Sequence, residues 1–169
     1  IKIFFVFYLI IINFGIVLNI IKLVREFHSK VDYILIKLLF NFLYVVGMIR
    51  FCKNHNQISI MDQGISQSIW SCIFHGNNVN YNCEAASLLL LTILSKIKST
   101  NLLVVHVNVE IDKIEARLKT RKNKGTSLLN FGNDKIIRKG VETTIKSRNF
   151  LDHVSSHTPS FSIVDCTNN

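Results

Sequence analysis

The sequence predicts a helix-rich α/β domain with a three-layer architecture, a parallel sheet flanked by helices. Three observations predict it. From residue 57 onward, short strand-like runs alternate with stretches of helical periodicity, the pattern of a parallel sheet with crossover helices. The run Leu102-Leu103-Val104-Val105 is continuously apolar, as in a strand buried on both faces. The run Ile58-Ser59-Ile60-Met61 ends abruptly at Asp62-Gln63-Gly64, and a helix begins there. That end of an open α/β sheet is where ligands bind, and a carboxylate on a buried strand requires a partner.

Composition sets the outer bounds. The chain has 169 residues, enough for a single domain with a real core. Hydrophobic residues make up 49% and charged residues 18%, which excludes general disorder. One proline and seven glycines leave few breaks. The net charge is +9. Between residues 101 and 150 there are eleven Lys and Arg against five Asp and Glu, so much of the excess sits in one segment. Such a patch suits phosphate ligands or an anionic membrane, and equally a solvated helix face. Nucleic acid is disfavoured, because no aromatic residues are interleaved with the charges as stacking platforms.

Cys52, Cys72, Cys83 and Cys166 show no C-x-x-C spacing, which argues against a disulfide framework or a zinc site. His153 and His157 are four apart but lack an evident third ligand. Reduced thiols fit a cytoplasmic chain, with membrane association as the alternative. The first residue is Ile1, which is expected of an amino-terminally truncated or processed chain.

Taken in order, residues 3–21 are the most apolar. Their length just suffices to span a bilayer, although Asn13, Gly15 and Asn19 interrupt them. The competing reading is an internal helix, or a strand and helix, buried in the core. No signal-peptide cleavage pattern follows. Residues 33–52 read as a helix, with Ile34, Leu38, Phe42 and Val45 on one face. Residues 65–75 form the next, closed by Gly76 in a left-handed cap. Asn82 caps a helix over 83–98. A strand over 102–109 leads to a helix opened by Asp112 and Glu115 in capping-box spacing. A basic loop around 122–127 precedes a helix over 134–154, with Ile137, Val141, Ile145 and Leu151 on its inner stripe. A last strand covers 161–165.

The stretches ISIMDQG, VVHVNVEIDKIEARLKTRKNKG and FSIVDCT, in that order, resemble the carboxyl-terminal part of a P-loop kinase domain of the thymidylate or nucleotide kinase type. The resemblance implies one domain over 1–169, with a basic, lid-like region at 113–133. It implies ATP and Mg²⁺ as cofactors, and a nucleotide and a small-molecule acceptor as partners. Asp62 would organise Mg²⁺, directly or through water, and Arg117 and Arg121 would act on the transferred phosphoryl group. Gln63, Gly64, Lys122 and Lys124 would contact the nucleotide. No G-x-x-x-x-G-K-[ST] loop occurs in the sequence, so the phosphate cradle is missing from it. Gly64-Ile65-Ser66 also outlines a hydrolase nucleophile elbow, but Ser68 stands where the second glycine belongs. The other function class is a non-catalytic membrane-associated protein, anchored by 3–21, with a basic surface at 113–148.

Overall fold

In the computed structural model, residues 1–55, 60–61, 64–78, 80–97, 102–108, 113, 134–159 and 161–167 are described. They form six helices and two strands: α1 Lys2–Ile12, α2 Phe14–Phe27, α3 Tyr33–Asn54, α4 Ile65–His75, α5 Cys83–Ile97, β1 Leu102–Asn108, α6 Asp134–Ser155 and β2 Phe161–Thr167. The expected three-layer parallel sheet is absent among these residues. β1 and β2 pair in parallel, from Leu102 opposite Phe161 to Asn108 opposite Thr167, and no third described strand joins them. α6 lies in the connection between them, as a parallel pair requires.

The core is helical. α2 carries Ile16, Ile20, Leu23, Val24 and Phe27 into it, where they meet Leu38, Phe42 and Val46 of α3 and Leu90, Ile93 and Ile97 of α5. The sheet joins this core through one face. Phe161 is buried, and Leu102, Val104 and Ile163 pack against the cluster. The alternate residues Leu103, Val105 and Val164 are exposed, Leu103 by 58%. The continuous apolar run therefore does not mark a strand covered on both sides. The expected strand over 58–61 is absent at its two described residues. Ile60 is 97% exposed, and neither it nor Met61 is in a strand. Ile58 and Ser59 lie outside the described residues.

Local chemistry explains the helix boundaries. Asn13 stops α1 and starts α2, its Oδ1 accepting from the Ile16 amide at 3.1 Å. The two helices are bent there by 114°. The 3–21 segment is therefore two helices, each too short to cross about 30 Å of hydrocarbon alone. α3 is the one helix among the described residues long and apolar enough to do so. Its buried Leu35, Leu38, Phe42, Val45 and Val46 belong to the core. Asn82 caps α5 as its sequence implies, accepting from the Ala85 amide at 3.0 Å. At the other end of α5, Arg50 of α3 donates to the Ile97 carbonyl at 2.9 Å. That contact satisfies one of the open carbonyls that end any helix.

Gly76 has φ −59° and ψ 142°, so it is not a left-handed cap. A methyl there would lie 2.7 Å from the carbonyl oxygens of both Cys72 and Phe27. Close backbone approach, not positive φ, requires the glycine. The approach is fixed by Asn78, whose amide side chain donates to the Glu26 carbonyl at 2.8 Å. The inner stripe of α6 also departs from expectation. Ile145 is exposed, while Thr143 and Ser147 are buried beside Phe150, Leu151 and Val154. Thr143 Oγ1 donates to the Lys139 carbonyl at 2.7 Å, so its hydroxyl is satisfied within the helix and can face the core.

Asp32 begins α3, accepting from the Leu35 amide at 2.9 Å and from His28 Nε2 at 2.9 Å. The Leu35 amide foremost, and His28 next among the favourable contacts, hold its carboxyl below the usual carboxylate range. A carboxyl depressed on folding stabilises fully above its unfolded value and loses that contribution as pH falls through the folded one. Asp32→Asn should therefore lower the thermal midpoint at neutral pH. The difference from the parent chain should shrink as pH falls below the ordinary carboxylate range, read by circular dichroism melts.

All four cysteines are free thiols. Burial pushes the Cys72 thiol up to about 12, while Cys83 and Cys166 are exposed. Ellman's reagent should react with Cys83 and Cys166 in the folded protein. It should reach Cys72 only after denaturant, because the thiolate is the reacting species.

Candidate membrane-facing surface

α1 has the sequence KIFFVFYLIII, apolar on every side after its lysine. A helix of that kind belongs inside a protein core or in lipid. Yet only Val6 and Leu9 of its eleven residues are buried. α1 touches α3 along one stripe. There Phe5 meets Tyr44 and Phe51, with ring centroids 5.9 and 5.4 Å apart. Asn54 donates to the Tyr8 hydroxyl at 2.9 Å. Gly47 makes the approach possible, since a methyl on it would overlap the Phe5 carbonyl.

The rest of α1 faces outward. Ile3, Phe7 and Ile11, spaced by four, share one side of the helix, and Ile11 is 81% exposed. Phe4, Ile12, Phe14 and Leu18 extend the exposed apolar surface along α1 and onto α2. Exposed apolar residues this numerous and contiguous mark an interaction surface rather than ordinary scatter. Cations border it. Lys2 begins the helix, with its ammonium 5.2 Å from the Tyr44 ring centre. The Lys96 ammonium lies beside Gly15 at the bend between α1 and α2.

The residues singled out by the kinase resemblance are scarcely represented here. Asp62, Gln63, Arg117, Arg121, Lys122 and Lys124 lie outside the described residues, as does the 113–133 region apart from Lys113. Gly64 is described. It precedes α4, and its carbonyl accepts from the Ser68 amide at 3.1 Å. Among the described residues, a methyl on Gly64 would meet only Met61 Cβ at 3.9 Å, and none of these contacts demands glycine there. The nucleophile-elbow outline lacks its strand at Ile60 and Met61, and Ser68 is turned back onto the Gly64 carbonyl. The residues assigned to ATP and Mg²⁺ thus give no geometry from which a catalytic step follows.

His153 and His157 do come together, with ring centroids 4.6 Å apart. Cys83 and Glu84 line the same cavity of about 320 Å³. Among the described residues, no three His, Cys, Asp or Glu side chains are placed to hold a metal ion. Comparison with known proteins adds no assignment: no family model, curated sequence or solved structure matches this chain.

Proposed function

We propose that this chain associates with an anionic membrane surface through α1 and the start of α2. The observation that carries this reading is a helix apolar on all sides with only two residues buried. Lipid is the solvent such a helix fits. Each Phe, Ile or Leu side chain taken fully out of water contributes roughly 1.5–3 kcal/mol. Ile3, Phe7, Ile11 and their neighbours together supply a term of order 10 kcal/mol, before the costs of immobilisation. The bend at Asn13 favours α1 lying in the interface plane while α2 stays in the core. The net charge of +9, with Lys2 and Lys96 beside the apolar face, favours an anionic leaflet over a neutral one.

Co-sedimentation with lipid vesicles tests this. The chain should pellet with phosphatidylserine-containing vesicles, and less with pure phosphatidylcholine. Added salt should weaken the difference between the two lipids and leave part of the binding, because the apolar component is not screened. A chain that stays in the supernatant with both vesicle types would exclude the reading.

The parallel β1–α6–β2 connection favours a second reading, phosphoryl transfer from ATP to a small acceptor. It would depend on Asp62, Arg117 and Arg121. Mg²⁺-dependent ATP turnover that disappears in Asp62→Asn is its test.

A further inference from the structure

A groove runs between α3 and α4, on the side where α4 packs against α6. It holds two cavities, of about 450 and 100 Å³, which share Asn41, Gln67 and Ser71. The larger falls in the usual size range of small-molecule sites. Helical spacing builds both walls. Tyr33, Lys37 and Asn41 recur every four residues on α3, and Gln67, Trp70, Ser71 and Phe74 form one face of α4.

Three features of this groove are unusual together. The first is its aromatic wall. Trp70 and Phe74 are stacked at 4.7 Å with an interplanar angle of 10°, and Trp70 is held in place by its Nε1 donating to Thr144 Oγ1 at 3.1 Å. Tyr33 stands on the facing helix.

The second is uncompensated positive charge. Lys37 lines the larger cavity, and the Lys139 ammonium sits 5.0 Å from the centre of the Phe74 ring. Lys2 lines the smaller. Among the described residues, none of the three lysines forms an ion pair, and no Asp or Glu lines either cavity. His75 reports the same field: burial first, then Lys37 and Lys139, lower its proton affinity. The third is unused polar capacity. Among the described residues, the side chains of Asn41, Gln67 and Ser71 have no hydrogen-bond partner.

We propose that this groove binds a small aromatic anion, with its ring against Trp70 and Tyr33 and its carboxylate or phosphate drawn to Lys37 and Lys139. Asn41, Gln67 and Ser71, shared by the two cavities, then supply directional hydrogen bonds. An aromatic ring uses the stacked wall, and an anion answers cations that have no carboxylate of their own. A neutral ring would leave the charge unanswered. Inorganic phosphate would leave the aromatic wall unused. Lys2 borders both this groove and the exposed face of α1, but Tyr33, Lys37 and Trp70 lie outside that face, so the inference does not rest on membrane association.

Trp70 is the only tryptophan in the sequence, so its emission reads this groove alone. Titration with phenyl phosphate or benzoate, excited at the red edge of the indole band, should change that emission saturably. Benzyl alcohol should bind at least tenfold more weakly, and inorganic phosphate should leave the emission unchanged. Stronger binding of phenyl phosphate than benzoate assigns a phosphate ligand, and comparable binding assigns a carboxylate. Lys37 is exposed, so Lys37→Met should keep the fold, checked by circular dichroism, while weakening both anions at least tenfold. Gln67→Ala, also exposed, should weaken them less. No saturable change with either anion, or Lys37→Met titrating like the parent chain, would overturn the proposal.

Discussion

Gly47→Ala should destabilise the protein by about 1–3 kcal/mol, the range for forcing extra volume into a packed interface. The added methyl would overlap the carbonyl oxygen of Phe5 and lie 3.0 Å from its carbonyl carbon. Both are backbone atoms, so rotamer adjustment cannot relieve the overlap and α1 must move away from α3. A urea melt should show a lower midpoint with little change in slope. Gly15→Ala is the internal control. Among the described residues, a methyl there would meet only Asn13 Oδ1 and Lys96 Nζ, both at 3.5 Å, an ordinary van der Waals distance that needs no adjustment. Near the start of α2, alanine should leave stability unchanged or raise it by up to about 1 kcal/mol. A loss of stability at Gly47 without one at Gly15 would locate the α1–α3 contact at Gly47.

Replacing Ile3, Phe7 and Ile11 with serine should reduce vesicle binding roughly 100-fold or more. Three large side chains at even about 1 kcal/mol each amount to that factor. All three are exposed, so folding in solution should be preserved or improved, because each serine removes apolar surface from water. The same three substitutions on a core stripe such as Ile16, Ile20 and Leu23 would unfold the chain. A triple variant that keeps its melting midpoint while losing vesicle binding therefore separates surface from core.

The helices were the most legible part of the sequence. The span 65–75 coincides with α4, and 33–52, 83–98 and 134–154 differ from α3, α5 and α6 by a residue or two. Strong apolar periodicity, Asn82 as a cap and few helix breakers made them so. β1 and β2 were also located, and their parallel pairing fits the expected alternation.

The fold class was not legible, for identifiable reasons. A short apolar run such as Ile58–Met61 carries the same pattern whether or not it enters a sheet, and Ile60 proves to be exposed. Period alone could not show that Leu103 and Val105 lack a covering layer. On α6, Thr143 and Ser147 bond to their own helix backbone, so polar residues occupy core positions that a hydropathy stripe would assign to Ile145.

The candidate surface was half legible. The apolar character of 3–21 was plain from the sequence, and Asn13 and Gly15 stood out as interruptions. A segment apolar on all sides gives no phase, so nothing in it distinguished the α2 half that enters the core from the α1 half that faces outward. The groove between α3 and α4 left a clearer trace, because the spacing of Gln67, Trp70, Ser71 and Phe74 puts polar and aromatic groups on one face of α4.

The most direct test of membrane association places a reporter on the outer face of α1. In a Trp70→Phe background, Phe7→Trp provides a single tryptophan at a side chain 59% exposed in the free protein. Mixed with vesicles of anionic lipid and phosphatidylcholine brominated along its acyl chains, that tryptophan should shift to the blue and be strongly quenched. Unshifted, unquenched emission at lipid concentrations that saturate the parent chain would contradict the account.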